Sequence, residues 1–105
     1  METMDVTLLH IDDCPNWRTT ETHLVRLRPE YGFELQRKRV GSAEEAEQLR
    51  FRGSPTVLIN GLDPFADPNA PVGMSCRLYR TIGGLVGSPT EEMLREVLAA
   101  AGTYR

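Results

Sequence analysis

Cysteine is scarce in this chain, and lysine is scarcer still. Only Cys14 and Cys76 occur among 105 residues, too few for a small domain stapled by several disulfides. Lys38 is the only lysine, the formal net charge is −3, and no basic cluster is interleaved with aromatic residues. The composition therefore gives no support for a nucleic-acid partner.

Long hydrophobic runs are also missing. The apolar stretches fall far short of the roughly 20 residues that a membrane-spanning helix needs, so we expect no membrane segment. No basic region followed by an apolar core opens the sequence, so we expect no secretory signal. We therefore expect a cytoplasmic location, where the cysteines rest as thiols. With 40% hydrophobic residues, the chain is expected to form one domain over residues 1–105. No feature of the sequence indicates an oligomeric state.

Apolar periodicity and turn residues predict the element order β-α-β-α-β-β-α. Two capping boxes support the later helices, since Ser42 precedes a glutamate at the third position and Ser88 does the same. Pro29 is expected to end the first helix, and Gly102 the last. The predicted strands are 5–11, 33–40, 56–61 and 76–81, and the predicted helices run from 16 or 17 to 28, from 42 to about 51, and from 88 to 102.

The first strand leads into a Cys14-Pro15 pair at the start of the first helix. A thiol in a first helical turn lies in a positive field near unpaired backbone N–H groups, which favours the nucleophilic thiolate. Proline suits the first helical position because its missing N–H has no intrahelical partner there. Asp12 and Asp13 either cap the helix or, if they approach the sulfur, disfavour the thiolate. This pattern indicates a redox or thiol-transfer cysteine, and a buried cysteine that packs as a small apolar side chain is the alternative.

Two further features lie beyond the second helix. Pro55 directly precedes a β-branched run, so it must stand at the very start of a strand, where the cis isomer is one option. Residues 62–75 contain three prolines and form a loop longer than usual connections. This loop either carries function or is a hairpin insertion pinned to the surface by Phe65.

The ordered elements and three short motifs resemble the thioredoxin-like superfamily, nearer its glutaredoxin-type minimal form. The motifs are residues 14–17 (CPNW), residues 54–56 (SPT) and residues 82–84 (IGG). Residues 51–56 (FRGSPT), 63–66 (DPFA) and 75–79 (SCRLY) are also similar to small bacterial thioredoxin-family proteins, some of which carry alkylmercury-lyase-like labels. The resemblance implies a three-layer α/β fold with a four-stranded mixed sheet.

The same resemblance implies roles for individual residues. Cys14 matches the attacking cysteine, and Trp17 and Pro55 stand with it at the catalytic positions. The backbone beside Pro55 is expected to pair with an extended substrate, and the last helix, with the glycines before it, to hold a carboxylate. The implied substrate-binding residues are Pro15, Asn16, Ser54, Thr56, Gly83 and Gly84.

Trp17 occupies the position at which dithiol members of the family have their second cysteine. The sequence therefore predicts a one-cysteine cycle, in which Cys14 attacks a disulfide and a small thiol such as glutathione releases it. The expected partners are a small thiol or a protein disulfide, with no resident cofactor. The alternative is a non-catalytic thioredoxin-like binding module in which Trp17 plugs the redox pocket.

Cys76 is the candidate second thiol. In the family's sheet a fourth strand that opens at Cys76 begins at the far end from Cys14, roughly 16 Å away, whereas a disulfide needs Cα atoms within about 7 Å. We therefore expect a buried, unpaired thiol at Cys76 unless the 62–75 loop folds back. The spacing of His10, Cys14, His23 and Cys76 matches no zinc signature, which leaves a soft ion such as mercury or cuprous copper on one or two thiolates as a further alternative.

Overall fold

A computed structural model describes residues 4–102 of the chain. This part of the chain contains three helices and five strands, and none of its helices combines the length and apolarity that crossing a bilayer requires. The strands are β1 (Asp5–His10), β2 (Glu34–Arg39), β3 (Thr56–Ile59), β4 (Tyr79–Thr81) and β5 (Gly84–Val86), and the helices are α1 (Trp17–Tyr31), α2 (Ala43–Leu49) and α3 (Glu91–Gly102).

The central sheet has the strand order β2-β1-β3. β1 runs parallel to β2, to which a helix connects it, and antiparallel to β3. Alternate side chains of β1 face opposite sides of this sheet. Val6 and Leu8 belong to a core cluster with residues of α1 and α3, whereas Leu9 belongs to a second cluster with Ala46 of α2. The fold is therefore mixed α/β, with helices on both faces of a three-stranded sheet.

The helix ends agree with the sequence in part. Ser42 caps α2 by accepting a hydrogen bond from the Glu45 N–H at 3.1 Å, as predicted. Pro29 does not end α1, because the helix continues to Tyr31 and is capped by Gly32 with a positive φ of 67°. The proline lies on the exposed side, one turn after the exposed Val25, so the carbonyl that it leaves without a helical donor is on the solvent side.

The last helix begins later than predicted. The hydroxyl of Thr90 accepts a hydrogen bond from the Met93 N–H at 3.1 Å, which makes Thr90 the residue that caps α3. The Ser88 hydroxyl instead lies 2.7 Å from the hydroxyl of Thr20 on α1. The second capping box was therefore wrong, because a tertiary contact uses the serine that the motif required.

The predicted fourth strand does not join the central sheet. β4 begins only at Tyr79 and pairs antiparallel with β5, which was not predicted, through a turn at Ile82 and Gly83. The four-stranded sheet was thus wrong, and a three-stranded sheet and a separate two-stranded hairpin replace it. The backbone around Cys76 pairs with Ser54, ahead of β3, so the predicted strand does not begin at Cys76.

Candidate functional site

The two cysteines are joined in a disulfide, although 62 residues separate them in the sequence. Their Cα atoms lie 5.8 Å apart, within the usual range for this bond. The expectation of a distant, unpaired Cys76 was therefore wrong. Cys76 is also exposed rather than buried, whereas Cys14 has only 1% of its surface accessible.

Backbone pairing with Ser54 brings Cys76 to this place. The Ser54 N–H donates to the Ser75 carbonyl at 2.7 Å, and the Arg77 N–H donates to the Ser54 carbonyl at 2.9 Å. These bonds form a parallel bridge between Ser54 and Cys76, just ahead of β3. The 62–75 loop thus folds back on itself, which is the one condition under which the sequence allowed Cys14 and Cys76 to pair.

Gly53 permits this close approach. Its φ is +120°, a conformation that side chains rarely adopt, and a Cβ atom there would lie 2.9 Å from the Cβ of Arg77 and 3.2 Å from the Ser75 carbonyl oxygen. Any larger residue at position 53 would therefore push the segment that carries Cys76 away from Ser54.

Arg77 anchors the returning loop from its other side. Its guanidinium donates to the Asp63 carboxylate at 2.7 Å, to the Phe65 carbonyl at 2.6 Å and to the Thr56 hydroxyl at 3.1 Å. Both Arg77 and Asp63 are largely buried, so each charge depends on the other. Sequence reasoning missed this pair. The only signal was that both residues lie in stretches that resemble thioredoxin-family proteins.

Ser54 and Pro55 connect the two cysteine-bearing segments. The buried Ser54 hydroxyl accepts a hydrogen bond from the Ile11 N–H at 3.1 Å, close to the Cys14 turn. The peptide bond between Ser54 and Pro55 is cis, the option considered from the sequence. The hydroxyl of Tyr79 donates to the Pro55 carbonyl, and burial raises the pKa of Tyr79 so that this proton stays in place.

Cys14 lies ahead of α1 rather than in its first turn. The helix begins at Trp17 with Asn16 as its capping residue, and the first turn closes with a bond from the Arg18 N–H to the Pro15 carbonyl at 3.1 Å. N–H groups ahead of the first helical bond have no acceptor within the helix, and no acidic residue lies in the first turn of α1. Cys14 stands three residues ahead of Trp17, and the N-terminal end of a helix favours negative charge on groups that lie near it.

The two aspartates before Cys14 are exposed. Asp12 forms an ion pair with Arg39 of β2 at 3.1 Å, with about two thirds of each side chain accessible. This pairing offsets part of the negative charge that the sequence placed near the sulfur, although solvent screens an exposed pair strongly.

The indole of Trp17 packs against a histidine and two arginines. It stacks on His10 with ring centroids 4.3 Å apart, and the guanidinium groups of Arg18 and Arg37 lie over it at 5.0 and 4.7 Å. The indole packs on the core cluster of α1 and α3, whereas Cys14 belongs to the α2-side cluster. Burial, with the nearby Arg37, lowers the pKa of His10, so this ring stays neutral near pH 7.

The structure separates the other predicted substrate residues. Gly83 and Gly84 lie in the β4–β5 hairpin, where a Cβ on Gly84 would meet no atom within 4 Å, and neither lines a groove with Cys76. The side chain of Asn16 lies against Gly87, in a second groove of 450 Å³ between the start of α1 and residues 86–91. Ser54 and Thr56 use their polar groups to hold residues of their own chain.

An open groove of 520 Å³ lies beside Cys76. It is lined by apolar residues together with three arginines and one exposed aspartate. The residues that set its charge and its apolar surface include Arg52, Phe65, Asp67, Leu78, Arg80 and Leu85. Sequence reasoning did not find this groove, because it exists only where the folded-back loop meets the hairpin.

Comparisons with known proteins assign no family to this chain, since no family model and no curated protein sequence matches it. Within residues 4–102, no three side chains of histidine, cysteine, aspartate or glutamate are grouped so that they could hold a metal ion. The candidate site is therefore defined by its own geometry, a disulfide with one buried and one exposed cysteine beside an open groove.

Proposed function

We propose that this protein is a thiol–disulfide oxidoreductase of thioredoxin-like type in which Cys14 and Cys76 are the redox pair. The observation that carries the proposal is the asymmetry of the bond. One half is buried before a helix N-terminus, and the other half is exposed beside a groove. A disulfide that serves only to cross-link the fold needs neither an exposed cysteine nor a binding space.

The proposed reaction transfers two electrons. Two molecules of a small thiol, such as glutathione, reduce the Cys14–Cys76 bond and become one disulfide, and the two thiol protons pass to the protein sulfurs. The resulting dithiol then reduces a substrate disulfide and closes again. This two-cysteine cycle replaces the one-cysteine cycle predicted from Trp17, because the two cysteines lie close enough for one to resolve a mixed disulfide on the other.

Two local features support a stable reduced state. The N-terminal end of α1 favours negative charge near Cys14, which stabilises a thiolate over a thiol. The bonds of Ser54 and Arg77 hold the Cys76 segment in place without the disulfide. A mercury or cuprous ion could bind only this reduced state, because the oxidised pair has no thiolate.

The reduction potential tests the proposal. The protein is equilibrated in glutathione and dithiothreitol buffers of graded potential, and free thiols are counted by the mass added on maleimide labelling. We expect a potential between about −270 and −120 mV, the range of exchange-active protein disulfides. The matched control, Cys14→Ser with Cys76→Ser, should add no label at any potential. A value below about −300 mV would identify a structural disulfide and overturn the proposal.

A further inference from the structure

We propose that Cys76, and not Cys14, is the sulfur that exchanges with the incoming thiol, and that this thiol is a small anion bound in the groove beside Cys76. The inference rests on the proposed redox function and transfers to Cys76 the attacking role that the sequence predicted for Cys14. Cys76 becomes the attacked and attacking sulfur, and Cys14 becomes the leaving and resolving one.

Access decides between the two sulfurs. A thiolate must reach the sulfur it attacks, so exchange is controlled by exposure as well as by acidity. Cys14 is 1% accessible and packs in a cluster with Leu9, Ile11, Val40, Ala46 and Phe51. Cys76 is exposed and lines the 520 Å³ groove, which gives an incoming sulfur a route to this half of the bond.

The backbone contacts of Ser54 select for small thiols. The resemblance to thioredoxin-like proteins implies that the backbone beside Pro55 pairs with an extended substrate. Here the Ser54 N–H and carbonyl already pair with Ser75 and Arg77 of the same chain. An extended protein segment would first have to displace residues 75–77, whereas a small molecule in the groove would not.

The charges around the groove favour an anion. Arg52, Arg77 and Arg80 line it together with a single carboxylate, Asp67. Arg77 is neutralised by Asp63, outside this lining, whereas Arg80 is exposed, and the Arg52 guanidinium donates to a backbone carbonyl rather than to a carboxylate. The excess positive charge complements a carboxylate on the incoming thiol, and the apolar wall near Leu78 and Leu85 accommodates its carbon chain.

Each step of the exchange forms one sulfur–sulfur bond and breaks another. The incoming thiolate forms a bond to the Cys76 sulfur, the Cys14–Cys76 bond breaks, and its electron pair leaves on Cys14 as a thiolate near the start of α1. In the opposite direction, the Cys76 thiolate attacks a substrate disulfide and releases its first thiolate. Cys14 then attacks the Cys76 sulfur of the mixed disulfide and releases the second.

The site of attack can be mapped on the wild-type protein. Oxidised protein is mixed with 3-mercaptopropionate, quenched with acid after short times, labelled with a maleimide under denaturing conditions and digested for mass spectrometry. We expect mercaptopropionate on Cys76 and maleimide on Cys14, in an excess of about tenfold or more over the reverse pattern. The reverse pattern would overturn the inference but leave the redox function standing. An intact disulfide at every thiol concentration would overturn both.

Thiols of different charge test the groove itself. Thiolate nucleophilicity rises with thiol pKa, so each rate is divided by the rate of the same thiolate with a neutral model disulfide. At low salt, 3-mercaptopropionate should then open the protein disulfide about threefold to tenfold faster than neutral 2-mercaptoethanol, and cationic cysteamine should be slowest. Arg80→Gln should reduce this preference, whereas Arg26→Gln, an exposed change on α1 outside the groove, should leave it unchanged. Equal normalised rates for all three probes would overturn the assignment of an anionic thiol.

Discussion

Breaking the disulfide should destabilise the protein by an amount that follows from the chain length it closes. Cys14 and Cys76 are 62 residues apart, and in the chain-entropy model a cross-link over such a loop raises the free energy of unfolding by about 4 kcal/mol at 25 °C. For a chain of 105 residues, this corresponds to a drop in Tm of about 15–20 °C on reduction. The noncovalent anchors of the returning loop, above all Ser54 and Arg77, should keep the reduced protein folded.

Urea unfolding of the oxidised and the reduced protein measures this difference. The reduced protein should show a lower midpoint and a larger m value, because its unfolded chain is less compact without the cross-link. The double variant Cys14→Ser with Cys76→Ser should unfold like the reduced protein and should not respond to reductant. Oxidised and reduced protein that agree within about 0.5 kcal/mol would refute the reasoning, since a bond across this loop cannot leave the unfolded state unconstrained.

Three other substitutions test the surroundings of the site. Gly53→Ala should lower the free energy of unfolding by about 1–3 kcal/mol, because residue 53 has a positive φ and its new Cβ would contact the Cys76 segment. In the control Gly73→Ala, the new Cβ meets no atom within 4 Å, so the free energy of unfolding should change by less than about 0.5 kcal/mol. Equal effects of the two substitutions would contradict the close approach at Gly53. Tyr79→Phe should cost about 1–2 kcal/mol in denaturant unfolding, because the buried Pro55 carbonyl loses its donor, and an unchanged midpoint would show that this bond contributes nothing. Burial lowers the pKa of His10 below 6.5, so the imidazole binds a proton more readily in the unfolded chain than in the folded protein. The free energy of unfolding should therefore fall as the pH drops from 7.5 to 5.5. His10→Phe should weaken this pH dependence, and an identical pH profile would exclude His10 as its source.

Local physics accounts for the parts of the fold that the sequence predicted well. The β-branched run at 56–59 and the apolar run of β1 predict strands, and the serine at position 42 predicts the start of α2, because each pattern acts over a few neighbouring residues. Patterns of this kind fail where a distant residue competes for the same group. Ser88 satisfies a capping motif in sequence but bonds Thr20 in the structure.

The sequence by itself placed Cys14 between β1 and α1 and Pro55 at the start of β3, because strand and helix signals are written in adjacent residues. Only the tertiary structure decided where Cys76 lies. Its position depends on Gly53 leaving room, on Ser54 pairing with residues 75 and 77, and on Arg77 reaching back to Asp63. These contacts join residues that are far apart in the chain or lie within an aperiodic loop, so no periodic sequence pattern predicts them. The chemistry of this site therefore depends on long-range packing, although the cysteine that draws attention to it is visible in the first 14 residues.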